Sequence, residues 1–439
     1  MNDPRIPRRL HYSWIIALLS AVAVVGALGF GRFGYTVILP AMKAGLGLSD
    51  VQAADLATGT MLGYLLLSVV GGLLAARFGS RLVIAIFLGL TCASMALTGL
   101  APAFGSALLA RTLTGMGSGG VNIPVMALTA IWFSPRRRGM AMGITVSGSS
   151  VGLLITGLVI PPVVEHFGAD GWRWSWYLLA AATGAITVLC AAYLRDRPAD
   201  KGLHPLGGEG RPVAGAGTGA VAGAAKGAAA AEPSTTAAPS AAAGASPLNW
   251  RLVYSSGTVW HLAAVYMAFG FSYVIYATFF VRYLTGEAGV SLQRAGSLWS
   301  LVGMISIASG FAWGTVSDRL GRKLSLALVF VIQAGSFLLF GLWRQPGGIV
   351  VSALLFAATA WSVPALMAAT VGDISEPRLA PAVFGFVSLF LSLGQVAGPF
   401  VAGRIAAASG SFACAFVAAG IASLAGAIGS LLLGPAGTG

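Results

Sequence analysis

The chain has 439 residues, of which 57% are hydrophobic and only 9% charged, and its mean hydropathy is +0.84. Soluble globular chains carry about 25% charged residues, so this composition excludes them and describes an integral membrane protein. Its net charge of +13 is read as topology rather than as affinity for nucleic acid, and no nucleic-acid partner is expected.

A helical span needs ~20 apolar residues. Runs of that kind occur at about 13–40, 51–75, 82–101, 104–133, 139–163, 172–194, 258–283, 292–316, 323–343, 347–371, 380–404 and 411–433. They are unbroken and lack the alternation of outer-membrane strands, which excludes a β-barrel. The expected fold is all-α and polytopic, with twelve transmembrane helices in two six-helix halves. The first run follows Arg5, Arg8 and Arg9 and so imitates a secretory signal. It continues to Pro40, too long for the apolar core of a signal, and is expected to be the first span.

If the N-terminus is cytoplasmic, that side receives Arg5, Arg8, Arg9, Arg77, Arg81, Arg136, Arg137, Arg138, Arg195, Arg197, Lys201, Arg211, Lys226, Arg251, Arg319, Arg322, Lys323 and Arg378. The other side receives Lys43, Arg173, Arg282, Arg294, Arg344 and Arg404. Eighteen of the twenty-six basic residues on one side is the positive-inside bias of an inner (plasma) membrane protein with both termini cytoplasmic.

The expected organisation is a cytoplasmic tail (1–12), an N-terminal half (13–195), a disordered linker rich in Ala, Gly and Pro (196–250), a C-terminal half (251–433) and a short tail (434–439). The linker reads as a passive tether. Cys92, Cys190 and Cys414 stand singly in apolar runs, as packing residues rather than as a disulfide framework or thiolate site.

A repeat supports the halves. The stretch from Gly72 through Arg77 and Gly79 to Arg81 matches the one from Gly314 through Asp318, Arg319, Gly321 and Arg322 to Lys323, displaced by 242 residues (314 less 72). Glycines allow close approach and a tight turn, while the cations can cap neighbouring helix C-termini, so the pair is expected to gate one half against the other.

These residues resemble the loop motif G-x-L-x-D-R-x-G-R-R/K of the major facilitator superfamily. Its second copy is complete; in the first, Ala76 and Ser80 replace the acidic and one basic residue. Arg111-Thr112-Leu113-Thr114-Gly115-Met116-Gly117-Ser118-Gly119 is similar to the family's R-x-x-x-G-x-G-x-G. Gly385, Gly394, Gly398, Pro399 and Gly403 resemble its glycine-proline element, a helix that packs closely and can bend.

A narrower resemblance is to the monocarboxylate transporter branch. It rests on Tyr12-Ser13-Trp14, on Arg32 eighteen residues later, on Gly79-Ser80-Arg81, on the connection from Trp132 to Gly152 and on Gly171-Trp172-Arg173. The resemblance implies secondary transport of a small organic monocarboxylate by alternating access, commonly with a proton. It implies a monomer amid membrane lipid, with no cofactor. The branch also carries an arginine and an acidic residue in its eighth span, where this chain has Gly310 and Ser306.

Intramembrane arginines are costly, so each needs an account. Arg32 either snorkels or anchors a carboxylate with its planar fork. Arg111 either bonds carbonyls of a neighbouring helix or serves the solute or its coupling ion. Tyr266, Phe269, Tyr273, Tyr276 and Phe280 recur at three and four residues and share a helix face, which either packs or brings Tyr273 and Tyr276 opposite Arg32. Asn122 and Gln395 are uncharged candidates for the same cavity.

No nucleotide loop, catalytic triad or metal-ligand spacing is present in the sequence, so an enzyme is not expected. The competing expectations are an exporter of another solute or drug by proton exchange and, from a different class, a transporter-like membrane sensor.

Overall fold

The computed structural model describes residues 11–207, 256–375 and 379–433. Within them the chain is helical almost throughout, as a bilayer demands of backbone that must bond to itself. Twelve spans follow in order: α1 (Tyr12–Leu46), α2 (Asp50–Phe78), α3 (Ser80–Leu100), α4 (Phe104–Trp132), α5 (Pro135–Phe167), α6 (Gly171–Tyr193), α7 (Gly257–Gly286), α8 (Leu292–Ser306 and Ser309–Leu320), α9 (Arg322–Leu342), α10 (Pro346–Thr359 and Ser362–Ile374), α11 (Ala380–Ser409) and α12 (Ala413–Leu431).

Nine stretches among the described residues are long and apolar enough to cross a membrane unaided, and the two pieces of α8, bent by 43°, make a tenth when joined. One of the nine, Arg136–Tyr193, contains both α5 and α6 around the turn Gly168–Asp170. The glycine-rich α4, with Arg111 inside it, falls short on hydropathy yet stands in the bundle over 29 residues.

The face where α1 begins and α12 ends is called here the terminal face, and the other the loop face. Two sequence expectations shift. Pro40 does not end α1, which runs on to Leu46 and stops at Gly47 (φ 61°). The ring removes one backbone bond without ending a helix whose flanks are packed. The stretch 196–250 is not disordered from its start. Residues 198–201 form a short turn, and Leu206 bonds through its backbone to Trp132 and Ser134. The reason is apolar: Leu203 and Leu206 pack against the core of the N-terminal half. The rest of that stretch, 208–250, lies outside the described residues, as do the tails 1–10 and 434–439.

The repeat is visible in the backbone. Gly79 (φ 89°, ψ 145°) and Gly321 (φ 83°, ψ 154°) make matching turns into α3 and α9, a conformation open only to glycine without strain. Arg81 donates to the Ala191 carbonyl at the end of α6, and Lys323 to the Leu433 carbonyl after α12. Donors and acceptors are both displaced by 242 residues (323 less 81, 433 less 191). Cations thus satisfy helix C-termini in both halves.

The halves meet through α1 on α7, α2 on α11 and α5 on the first piece of α8. Small residues bring the backbones together. A methyl at Gly157 would sit 2.4 Å from the Gly296 carbonyl oxygen, and one at Gly403 would sit 2.3 Å from Ala54 Cβ. Ion pairs close the loop face: Asp50 takes both Lys43 (2.6 Å) and Arg282 (3.2 Å), and Asp55 takes Arg404 (3.1 Å). Toward the terminal face the halves diverge. The second piece of α8 packs on α9 and α10, and a methyl added at Gly139, Gly143 or Gly385 meets nothing within 4 Å. The bundle is open on the terminal face and shut on the loop face.

Two outcomes test this packing. Gly115→Leu, whose added Cβ would lie 1.9 Å from the Thr60 carbonyl oxygen, is expected to cost about 1–3 kcal/mol or more and lower Tm by several degrees. Gly143→Leu, facing open space, should leave the detergent-solubilised Tm unchanged; equal losses for both variants would refute the assignment. The double variant Asp50→Asn, Asp55→Asn should lengthen spin-label distances between α2 and α11 on the loop face. An unchanged distance distribution would mean that these ion pairs do not hold that face shut.

Candidate functional site

The site is built on an unusual turn of α1. Residues Val25–Phe33 bond i to i+5, a wider coil than the α-helices on either side. Glycine makes room for it: a methyl at Gly29 would be 2.6 Å from the Cα of Gly152 on α5. From α4, Ser118 Oγ donates to the Ala27 carbonyl (2.6 Å) and Arg111 Nη1 to the Gly31 carbonyl (2.8 Å). Arg111 is wholly buried, with its guanidinium 4.9 Å from the Tyr35 ring and 4.8 Å from Trp176. Of the two readings of Arg111, the contacts are those of a structural staple on α1, and the small cavity beside it is shared with Arg32.

Arg32 is the next residue after that stapled carbonyl. It is 7% exposed, and fourteen residues separate it from the end of α1, ~20 Å at the helical rise. Its head group is held between the halves rather than turned toward an end of α1. Its Nη2 donates to Tyr273 Oη on α7 (2.6 Å), crossing from one half to the other, and its Nε has no hydrogen-bond partner. The guanidinium also lies 5.4 Å from the Tyr64 ring on α2 and 5.3 Å from Phe33. No carboxylate pairs with it among the described residues.

Around Arg32 the predicted residues sort clearly. Gln395 on α11 donates from Nε2 to the same Tyr273 hydroxyl (3.0 Å), and its Oε1 is buried without a partner. Asn122 on α4 donates to Tyr64 Oη (2.8 Å) and so belongs to the same belt. Tyr276 does not. It is fully buried inside the C-terminal half, bonded to Ser352 (2.8 Å) and enclosed by Phe280, Phe337, Phe340, Phe356 and Phe416. A turn of three residues moves a side chain far enough around α7 to leave the cavity and enter the half's own core. The expectation that it faces Arg32 is corrected.

Three belt members were not singled out from sequence. Tyr64 underlies Arg32. Trp361 sits at the break of α10, edge-on to Phe33 (5.7 Å) and Tyr273 (6.5 Å), and its Nε1 donates across the halves to Ser150 (2.7 Å). Ser150 on α5 also accepts from Ser306 (2.9 Å), where α8 bends. The detectable signals were a lone tyrosine and a lone tryptophan in otherwise apolar runs, which packing alone also explains.

The candidate packing glycines lie at close approaches between helices. Methyls at Gly115, Gly117 and Gly119 would strike Thr60, Thr91 and Tyr64, and at Gly394 and Gly398 would strike Met267 and Val274 on α7. Pro399 is accommodated within α11. Gly72 lies against Ile123. The loop motifs stay within their own halves. Arg322 joins Asp318 (2.7 Å) to Asp373 (3.0 Å), while Arg77 and Arg319 are exposed and Gly314 has free space. In the first copy, where Ala76 replaces the acid, Asp196 after α6 supplies a carboxylate, accepting from the backbone of Arg81 (2.9 Å) beside Gly79.

Comparison with known proteins agrees with this architecture. The chain is 24% identical to the hexuronate transporter of Bacillus subtilis, over 92% of this chain and 90% of that one. It is 25% identical to a probable sulfoacetate transporter of Cupriavidus necator, over 98% and 95%. The probable anion transporter 5 of Arabidopsis thaliana is 23% identical over 93% and 90%. Among solved structures, an inward-facing, unoccupied bacterial homolog of the human lysosomal transporter Spinster superposes with TM-score 0.68 at 16% identity, over 99% of this chain and 96% of that one. The nucleoside transporter NupG gives 0.71 at 13% identity, over 95% and 99%. Residues 21–367 match the Major Facilitator Superfamily model, and the chain belongs to that family of membrane transporters.

Proposed function

We propose that this chain carries a small organic anion across the membrane by alternating access, with Arg32 as the anchor. The observation that carries the reading is a guanidinium buried between the halves with an unpartnered Nε and no carboxylate beside it among the described residues. A buried cation hydrogen-bonded to a phenol and resting on aromatic rings, with no anion beside it, is incompletely compensated, and an incoming anion repays its desolvation through charge-assisted bonds. Binding at that place also favours closure, because Arg32 belongs to one half while its partner Tyr273, and Gln395 bonded to the same hydroxyl, belong to the other. A ligand bridging two bodies shifts their equilibrium only through such differential contacts.

The relatives named for hexuronate, sulfoacetate and anions support an anionic solute. They also widen the class: a monocarboxylate is one member, and sulfoacetate carries a sulfonate as well. A cationic drug is disfavoured by Arg32. The positive-inside count supports a cytoplasmic terminal face in an inner membrane, and on that reading the state described above is the inward-facing one. Asp318, Arg322 and Asp373 then stand at the cytoplasmic gate, and Asp50, Asp55, Arg282 and Arg404 at the outer one. If a proton accompanies the solute it uses groups other than the eighth-span pair, because Ser306 and Gly310 occupy those positions.

Arg32→Ala is expected to abolish saturable uptake of carboxylates into proteoliposomes, and to weaken ligand-induced thermal stabilisation about 10- to 100-fold, at unchanged expression. Arg32→Lys should recover part of the binding, as a point charge without the fork. Full uptake by Arg32→Ala, or stabilisation of the wild type by cations and neutral solutes alone, would sink this reading.

A further inference from the structure

We infer that the anion crosses without a proton or a metal cation, so that each cycle moves the solute's own negative charge and the membrane potential, not a pH gradient, drives it. This rests on the anion reading above and adds how the transport is energised. Coupling to a cation needs an acceptor at the seam that both faces reach in turn. Every described Asp, Glu and His lies in a connection or within five residues of the end of its span, where Asp55 of α2 and His261 of α7 reach deepest, ~8 Å at the helical rise. Arg32 is fourteen residues from the nearer end of α1. The remaining acids of the sequence, Asp3, Glu209, Glu232 and Glu376, fall outside the twelve span ranges. Asp55 is also committed to its gate, bonded to Arg404 of the other half.

The groups around Arg32 carry no charge that changes near neutral pH. They are the phenols of Tyr64 on α2 and Tyr273 on α7, the amide of Gln395 on α11, the indole of Trp361 on α10 beyond Phe33, and Arg111 of α4 across the shared cavity. From α5 come Gly152, against Gly29, and the Ser150 hydroxyl that meets Trp361. Phenols ionise at about pH 10 in water and a guanidinium keeps its proton, so the seam holds the same charge in both orientations. Nor does a proton ride on the solute, because a guanidinium takes the ionised acid. Metal cations meet two arginines there, and the α1 carbonyls of Ala27 and Gly31 are taken by Ser118 and Arg111. Over a full cycle the protein's own charges return to where they began, and the net charge moved is that of the cargo. With the terminal face cytoplasmic, an inside-negative potential drives the anion toward the loop face, the direction of an exporter; inward flux then needs a steep gradient or exchange for another anion.

The test uses purified full-length protein in proteoliposomes, with radiolabelled D-glucuronate and lactate as monoanionic probes. A potential of ~60 mV, positive inside and set with potassium and valinomycin, is expected to raise steady-state accumulation about tenfold over zero potential. A pH gradient of about one unit at clamped zero potential should change it less than about twofold, where a cotransported proton would give about tenfold. Solute-evoked current should carry about one negative charge per labelled molecule, and that ratio should hold in Asp50→Asn, Asp55→Asn and His261→Gln. The wild-type measurements need no variant, so a misfolded one leaves the test intact. Accumulation that follows the pH gradient and ignores the potential, in a carrier silenced by Arg32→Ala, would overturn this inference and leave the anion reading standing. So would a charge ratio that changes in any of the three variants. Uptake of neither probe by the wild type, or uptake indifferent to Arg32→Ala, would overturn both.

Discussion

Everything in this bundle is arranged around one buried guanidinium at the seam of two halves. A charge there is expensive, and the sequence meets the cost locally rather than by supplying a carboxylate. The turn that presents Arg32 is wider than an α-helix, so carbonyls of α1 become available, and Arg111 and Ser118 of α4 take two of them at Gly31 and Ala27. One arginine therefore holds the backbone that aims the other. Losing Arg111 would disturb Arg32 without touching its side chain, which is how a residue outside the belt can control it.

The second constraint is asymmetry along the membrane normal. On the loop face, glycine contacts and the ion pairs of Asp50 and Asp55 bring the halves into contact; toward the terminal face the halves separate. The exposed parts of these pairs make each one weak on its own. That suits a face that must open, because a gate held by several small, screened interactions can be released by a modest differential contact elsewhere. The glycine lanes supply the complementary property: α7 rides on α11 with its backbone against Gly394 and with Val274 seated on Gly398, so no α11 side chain stands between the helices at those two points.

Sequence revealed what depends on chain-local chemistry. Twelve apolar runs, the 242-residue repeat, the glycine lanes and the two intramembrane arginines were all legible, because a bilayer leaves few ways to bury them. What failed depended on rotation about a helix or on docking. Tyr273 and Tyr276 share a stripe in sequence, yet only the first faces the seam, and periodicity cannot say where the seam cuts the stripe. Pro40 read as an end and proved internal; the start of the low-complexity stretch read as disordered, yet Leu206 docks against Trp132 and Ser134. Tyr64, Trp361 and Ser150 were invisible as a group because they come from three spans.

The departure from the monocarboxylate branch at Ser306 and Gly310 acquires a physical content. Both residues lie where α8 bends beside the break in α10. Ser306 donates to Ser150, and Ser309 accepts from the Trp361 backbone (3.2 Å). Gly310 lets the Trp361 carbonyl approach so closely that an added Cβ would sit 3.3 Å from it. An arginine there would have to push that carbonyl away. The charged pair of the branch and this neutral junction are therefore alternatives, and choosing the junction leaves Arg32 as the guanidinium that bridges the halves through Tyr273 at the midplane belt. A single anchor assisted by neutral amides and hydroxyls favours recognition of a solute by its hydrogen-bonding pattern over recognition by charge alone, because charge fixes only one point of the ligand.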